Sequence, residues 1–509
     1  MADGRFYLTT PIYYVNAEPH IGHAYTTIMA DIIARQRRQC GDEVFFLTGT
    51  DEHGIKVARS AEEAGRSPRE HADLLSERFR ALGDVLASSH DFFIRTTRDE
   101  HVEKVQELVQ KIYDNGHIYS DTYSGWYCAA SEAFYTEAEL GPDTTCPIHK
   151  TPVEWVEETN WFFRITDFRE LLLAHYDAHP DWVLPGHRAN EARRMIEDLE
   201  DLSITRAKLD WGVRVPWDDE QVIYVWVDAL LNYVTALSFP DAQAAGASED
   251  LWPADLQLMA KDILKFHAVI WPAMLMAADL PPPRRLFIHG YVLKGGEKMS
   301  KTVGNVIDPF PFIEAFGIDA LRYYLAREIR FGEDGTFTQE GFEARYSGEL
   351  ANEYGNLLNR TTSMVGRYRD GVVPADRGDD GALAAEAAQV VAAVTEAFEA
   401  LDLTRAADEA WVLVRRLNRL VEERAPWRLA RDDAKAAELD QALASLAEGL
   451  RITSVILWPY MPGSSEAALR ALGQDPGAVG LAGAVWGRGI AGARVEPTGP
   501  LFPKVEDFA

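Results

Sequence analysis

Phe6-Tyr-Leu-Thr-Thr10, a helical pattern from about Ala24 to Cys40, and then Val44-Phe-Phe-Leu-Thr48 form the stretch whose reading decides the fold. Strand, helix and strand at this spacing make a βαβ unit, and a crossover through a helix implies a parallel sheet. A second set of β-rich runs, Val222-Ile-Tyr-Val-Trp226, Leu256-Gln-Leu-Met259 and Arg285-Leu-Phe-Ile-His289, is again spaced by helical patterns and reads as the other half of that sheet. Between the halves, residues 116–217 are rich in Trp, Tyr, Gly and Pro and contain two of the cysteines, which suggests an insertion at the crossover. Beyond about Gly341 the strand pattern ends. Ala, Leu, Arg and Glu at helical spacing then run from Glu343 to Tyr460, broken by a Gly/Asp-rich stretch at 371–381, and predict a helical bundle. The expected fold is α/β: a Rossmann-type parallel sheet split by an insertion, followed by a C-terminal α-helical bundle.

A chain of 509 residues exceeds one hydrophobic core and predicts about three or four domains. The longest apolar run, Ala268 to Ala278, is interrupted by Pro272 and is far shorter than the roughly 20 residues of a membrane helix, so it reads as a buried core helix. Neither a basic start nor an apolar middle marks the N-terminus as a secretory signal, and three cysteines (Cys40, Cys128, Cys146) are too few for a disulfide framework. A cytoplasmic location, with no membrane partner, is the expectation.

Fifty-one basic against eighty acidic side chains leave a net charge of −29, which taken alone argues against nucleic acid because the global field repels phosphate. From Trp411 to Arg431, however, six arginines (415, 416, 419, 424, 428, 431) face only Glu422 and Glu423. That stretch reads either as a solvated Arg/Glu helix face or as a local basic surface.

Two short motifs carry chemistry. Pro19-His20-Ile21-Gly22-His23 falls where the first strand gives way to the first helix, at the carboxyl edge of the predicted sheet. There a helix N-terminus offers N–H groups to an anion, Gly22 lets the backbone approach, and the imidazoles of His20 and His23 can donate to phosphate oxygens. Lys298-Met-Ser-Lys-Thr302, after Gly295-Gly296, follows the last β-like run. Lys298 and Lys301 on a glycine-hinged loop can close over a polyphosphate and neutralise pyrophosphate as it leaves.

The pair resembles the HIGH and KMSKS signatures of the class I aminoacyl-tRNA synthetases, the second appearing here as KMSKT. Further blocks, Thr10-Pro-Ile-Tyr-Tyr-Val-Asn16, Thr48-Gly-Thr-Asp-Glu-His-Gly54, Tyr224-Val-Trp-Val-Asp-Ala229 and Lys261-Asp-Ile-Leu-Lys-Phe-His267, are similar to those of the methionyl-tRNA synthetases. The resemblance runs from about residue 6 to 460. It implies ATP-dependent activation of L-methionine to methionyl-adenylate and transfer to the 3′ end of tRNA(Met), initiator and elongator. It also divides the chain into a first catalytic half with the HIGH motif (1–115), the connective insertion (116–217), a second catalytic half (218–285), the KMSKS loop and stem-contact region (286–345), and an anticodon-binding bundle (346–509).

Carried over residue by residue, the resemblance implies that Ile12, Tyr14, Trp226, Ala229, Leu230, Tyr233, Ile263 and His267 surround the methionine side chain while Asp51 holds its ammonium group. A thioether gains from aromatic edges, and His267 and Tyr14 could hydrogen-bond the sulfur. For ATP it implies His20, Gly22, His23, Arg206, Asp262, Lys298 and Lys301, with Mg2+ arriving on the triphosphate. Asn356 and Arg360, four apart on one helix face, and Trp427 match the family's anticodon-reading positions, where Trp stacks a base while Asn and Arg read base edges.

The insertion departs from the family pattern. Cys128-Ala-Ala-Ser131 and Cys146-Pro-Ile-His149 stand where a zinc knuckle carries Cys-x-x-Cys and Cys-x-x-His, and a serine hydroxyl is a poor replacement for a thiolate. A metal-free relic is expected. Two other readings remain: a ligase that passes an aminoacyl-adenylate to a small amine, opposed by Asn356, Arg360 and Trp427 in the bundle, and a catalytically dead RNA-binding protein, opposed by the intact His20, His23, Lys298 and Lys301. No segment after the bundle resembles the family's dimerisation module, so a monomer is expected.

Overall fold

The computed structural model describes residues 4–128, 133–147, 150–207, 209–299, 306–375, 381–477, 479–496 and 499–505. Its centre is a parallel sheet. Strand β1 (Arg5–Thr9) pairs on one side with β3 (Glu43–Asp51), which also takes β2 (Tyr13–Tyr14) and β4 (Phe92–Arg95). On the other side β1 pairs with Leu256–Ala260, then come Leu286–His289 and, from the insertion, Val183–Leu184. The order reverses at β1, so the crevice beyond the carboxyl ends of β1 and Leu256–Ala260 is where a ligand is expected in such a sheet.

Helix α1 (Ile21–Cys40) starts at that crevice. Its buried residues from Ile21 to Gln39 lie on all sides, which is why its sequence lacks a clean amphipathic stripe. Gly41 at φ 94° ends it, a conformation natural to glycine.

The Val222–Trp226 run is not a strand of the central sheet. Asp218–Ile223 belongs to a small antiparallel sheet with Thr205–Arg206 and Arg214–Val215, and Val225–Thr235 is a helix. A short, fully apolar run has no period to separate helix from strand; here Trp226, Ala229, Leu230 and Tyr233 recur at helical spacing just beyond it. Nor do the domain limits at 217 and 285 follow the sheet, since Val183–Leu184 and Leu286–His289 both lie within it.

The insertion's main feature is a long antiparallel pairing of Ile118–Cys128 with Glu154–Phe163. The bundle comprises helices Asn356–Arg369, Gly381–Glu399, Leu403–Arg424, Ala436–Leu457 and Pro462–Ala471. Among the described residues, Gly381–Glu399 is the one helix long and apolar enough to cross a membrane, but Leu383, Ala387, Val390, Val394 and Phe398 put one face into the bundle core.

One continuous core runs from Phe6 and Leu8 through α1 and the Ile318–Glu328 helix into the bundle. Within it Arg322, fully buried, pairs with Asp31 of α1 (2.6 Å) and donates to the carbonyls of Leu86, Pro459 and Tyr460. This guanidinium ties the central sheet to the bundle. Asp31 in turn accepts from Arg35 and from Ser89. Removing one partner leaves a buried charge, so Arg322→Ala should cost about 3–5 kcal/mol, whereas Arg322→Met with Asp31→Leu should recover most of it. Denaturant midpoints of the two variants decide this, and equal losses would count against it.

Candidate active site

The crevice holds a cavity of about 320 Å3 lined by Ile12, Tyr14, Asp51, Trp226, Ala229, Leu230, Tyr233, Ile263 and His267, and also by His20, Gly22, His23, Asp262 and Lys298. All nine residues expected around methionine are therefore brought together, with five of those expected on ATP.

The two histidines close the start of α1 on each other. Gly22 N–H donates to His20 Nδ1 (3.0 Å), and His20 N–H donates to His23 Nδ1 (3.1 Å), a reciprocal cap built from imidazoles. Accepting at Nδ1 places the proton of each neutral ring on Nε2. Gly22 is required for a second reason: a Cβ there would sit 2.9 Å from His20 Cε1 and 3.0 Å from Nδ1.

At the carboxyl end of β3 three consecutive side chains go three ways. Asp51 lines the cavity. Glu52, buried, turns back to a bidentate pairing with Arg95 (2.7 and 2.9 Å) and to Thr50 and Thr97. His53 Nδ1 meets Asp228 (2.7 Å), whose other oxygen meets His101 Nε2 (2.8 Å). Burial alone would raise the Asp228 carboxyl, but the two imidazoles bring it down to about 2, so it stays ionised. Asp228 thereby fixes the helix that carries Trp226, Ala229, Leu230 and Tyr233.

Trp226 stacks on Phe266 with centroids 4.0 Å apart. His267 lies in the wide π-type turn Phe266–Ile270, a distortion common at functional sites. Burial pulls its imidazole down to about 4. The neutral ring donates from Nδ1 to the Ile263 carbonyl (3.1 Å), so Nε2 accepts from the Tyr233 hydroxyl (2.8 Å). With both nitrogens so engaged, His267 shapes the pocket without a proton to give a sulfur, contrary to the expectation from sequence.

Lys298 ends a tight hairpin, Val292–Lys294 with Glu297–Lys298, whose turn is Gly295-Gly296 at φ 61° and 81°. Its ammonium donates to the Tyr291 hydroxyl (3.0 Å) at the cavity rim. Lys301 lies outside the described residues. Arg206 does not line this cavity; it lies 4.3 Å over the Tyr224 ring and donates to the carbonyls of Ser203 and Thr205. Among the cavity residues that the sequence did not single out are Lys56, Tyr291 and His289. His289 ends the Leu286–His289 strand and Tyr291 follows it, a position at the carboxyl end that could have flagged both.

In the bundle, Arg360 and Trp427 meet, guanidinium 5.7 Å over the indole, and Arg360 also pairs with Glu422 (2.8 Å). Asn356, one turn earlier, is exposed. Of the six nearby arginines, Arg415 pairs with Glu349 and Glu353, and Arg416 with Glu386 and Glu423. Cys128 and Cys146, both buried, pack with Val153 in a small apolar cluster. Ser131 and His149 lie outside the described residues, and among the described residues no three His, Cys, Asp or Glu gather as a metal site.

Comparison with known proteins agrees with this geometry. The family model "tRNA synthetases class I (M)" matches residues 6–152 and 142–362, and "Anticodon binding domain of methionyl tRNA ligase" matches 373–508. The chain belongs to the methionyl-tRNA synthetases. The methionine–tRNA ligase of Streptomyces coelicolor is 45% identical, over 99% of this chain and 97% of that one, and that of Thermotoga maritima is 44% identical, over 99% and 80%. Mycobacterium tuberculosis methionyl-tRNA synthetase in complex with methionyl-adenylate superposes with a TM-score of 0.94 at 42% identity, covering 98% of this chain and 100% of that chain. The apo form of the same enzyme gives 0.86 at 39% identity, covering 99% and 98%. As a methionyl-tRNA synthetase the chain is a class I ligase that activates methionine with ATP and charges tRNA.

The buried histidines carry a pH dependence. Burial lowers His289 to about 4 despite the Gly290 carbonyl and Asp262, which act to raise it; its Nδ1–H donates to that carbonyl (2.7 Å), and Nε2 accepts from Thr26. The unfolded chain takes up a proton near 6.5, the folded ring only near 4. Each such imidazole therefore contributes stability, about 3 kcal/mol, that is full above pH 6.5 and is lost as pH falls toward 4. His289→Asn, which keeps the donor to Gly290, should flatten the fall in unfolding midpoint between pH 6.5 and 4.5. An unchanged slope would refute this.

Proposed function

We propose that the 320 Å3 cavity is where methionine and ATP react and that its residues act as follows. Asp51 binds the methionine ammonium group, and Trp226, Tyr233 and the other apolar walls take the side chain. His20 and His23 donate from Nε2 to the triphosphate, and Asp262 faces the nucleoside. Lys298 and Lys301 meet the β- and γ-phosphates with Mg2+ held by ATP itself. The methionine carboxylate attacks the α-phosphate in line, pyrophosphate leaves, and the terminal adenosine of tRNA(Met) then accepts the methionyl group. The observation that carries this reading is the convergence of a reciprocal imidazole cap, a buried carboxylate and an aromatic pocket on one crevice at the switch point of the sheet.

Arg206 stands in a wall of the neighbouring cavity, so its assignment to ATP rests on the resemblance alone. Asn356, Arg360 and Trp427 read the anticodon, with initiator and elongator tRNA both as substrates. The enzyme works in the cytoplasm as a monomer. The Cys128/Cys146 knuckle is metal-free core, for which elemental analysis well below one zinc per chain is the check.

Pyrophosphate exchange measured with each of the twenty amino acids should depend on methionine; equal exchange with leucine or valine would sink the assignment. His23→Ala should lower the activation rate by about a hundredfold while methionine affinity holds, since the ring is assigned to charge that develops in the transition state.

For Trp427, partly buried against the bundle core, two roles compete. A stacked base is worth roughly 1–3 kcal/mol, so Trp427→Ala should reduce charging efficiency about ten- to a hundredfold and leave exchange and melting unchanged. Charging lost only in step with melting would assign the indole to packing instead.

A further inference from the structure

A second cavity, about 190 Å3, lies against the first. Val225 lines both, and the partition is thin: a Cβ on Gly54, which lines the second, would lie 2.6 Å from the hydroxyl of Tyr14, which lines the first. The insertion supplies one wall with Tyr127, Val156 and Glu158; Tyr224, Val225 and Arg206 supply another.

Its charges are balanced, and two of them are fixed in place. Arg206 is held by its cation–π contact with Tyr224 and by the carbonyls of Ser203 and Thr205. Glu158 is held by the Ala207 N–H (2.8 Å). Arg59 and Glu154 also line the cavity. Two cations against two carboxylates give no net attraction for phosphate. Apolar and aromatic walls, with the donor fork of Arg206 and the acceptor of Glu158 held in place, suit instead a flat, neutral, polar group, and an unpaired nucleobase is such a group.

We propose that this cavity holds the cytosine of the nucleotide preceding the terminal adenosine of tRNA, a reading that rests on the tRNA charging assigned above. For the terminal ribose to reach an adenylate in the first cavity, the preceding nucleotide must lie beside it, and the second cavity is what lies beside it. Cytosine presents an amino donor next to two acceptors, which complements Glu158 and Arg206, with Tyr127 and Val156 against its face. Uracil would turn a carbonyl toward the Glu158 carboxylate.

The test fills the cavity from the insertion side. Val156→Trp in the full chain, with Tyr127→Ala as a second variant, is assayed for methionine-dependent pyrophosphate exchange and for charging of tRNA carrying cytidine or uridine at that position. Both variants should charge about tenfold less efficiently or worse, with exchange within about twofold of the parent. Uridine should cost the parent about tenfold and the Val156→Trp variant little more. Normal charging by a folded Val156→Trp variant overturns the proposal, as does a uridine penalty of equal size in parent and variant. Exchange falling in step with charging in both variants also overturns it, by assigning the cavity to the adenylate. Because exchange in the parent tests the activation chemistry separately, a failure of that reading would not be confused with a failure of this one.

Discussion

The start of α1 is the constraint on which the site depends. A helix that starts in the crevice of a parallel sheet brings backbone N–H groups that need partners, and here two imidazoles take that task for each other. That capping fixes both ring tautomers, so a structural need and a chemical one are met by the same bonds. It also explains Gly22, whose missing side chain is the space His20 Cε1 occupies. A shift of α1 along its axis would move both histidines together. The helix is held against such a shift by buried contacts along its length and by Asp31, which Arg322 locks to the bundle.

Recognition of the amino acid, under the proposed assignment, follows from how the pocket disposes of its own polar groups. Tyr233 and His267 satisfy one another, and the Ile263 carbonyl takes the remaining imidazole proton. What then faces the ligand is polarizable surface: Trp226 stacked on Phe266, with Tyr14 beside Gly54. Discrimination by such a wall works through shape and dispersion, where a methylene is worth only about 1–3 kcal/mol. Asp51 adds a charge requirement that every α-amino acid meets, so side-chain choice rests on the apolar wall.

Local order was the part of this legible in the sequence. Strand–helix–strand from Phe6 to Thr48 announced the sheet, and the two motifs marked its carboxyl edge because each sits where a strand ends. Contacts between distant residues were not legible. Nothing near His53 or His101 in the chain points to Asp228, 175 and 127 positions away, yet that buried pair of bonds positions the helix Val225–Thr235 against the cavity. Arg206 shows the opposite case: the family resemblance suggested the nucleotide, while its hydrogen bonds to backbone carbonyls and the Tyr224 ring hold it in the neighbouring cavity that Val225 also lines.

Net charge misled in a way that physics accounts for. At −29 the chain as a whole repels RNA, but screening at physiological salt confines any charge to about 8 Å, so binding is decided by what lies in the patch and not by the sum. Within the patch the arginines do not act as bare charge. Arg415 and Arg416 are neutralised by glutamates of neighbouring helices, and Arg360, shared between Glu422 and the Trp427 ring, is held in a fixed plane. Under the proposed anticodon role, an acidic protein with one oriented arginine beside an indole gains little from long-range attraction and relies on stacking and directed hydrogen bonds. That trade favours choosing one anticodon among many over holding any RNA tightly.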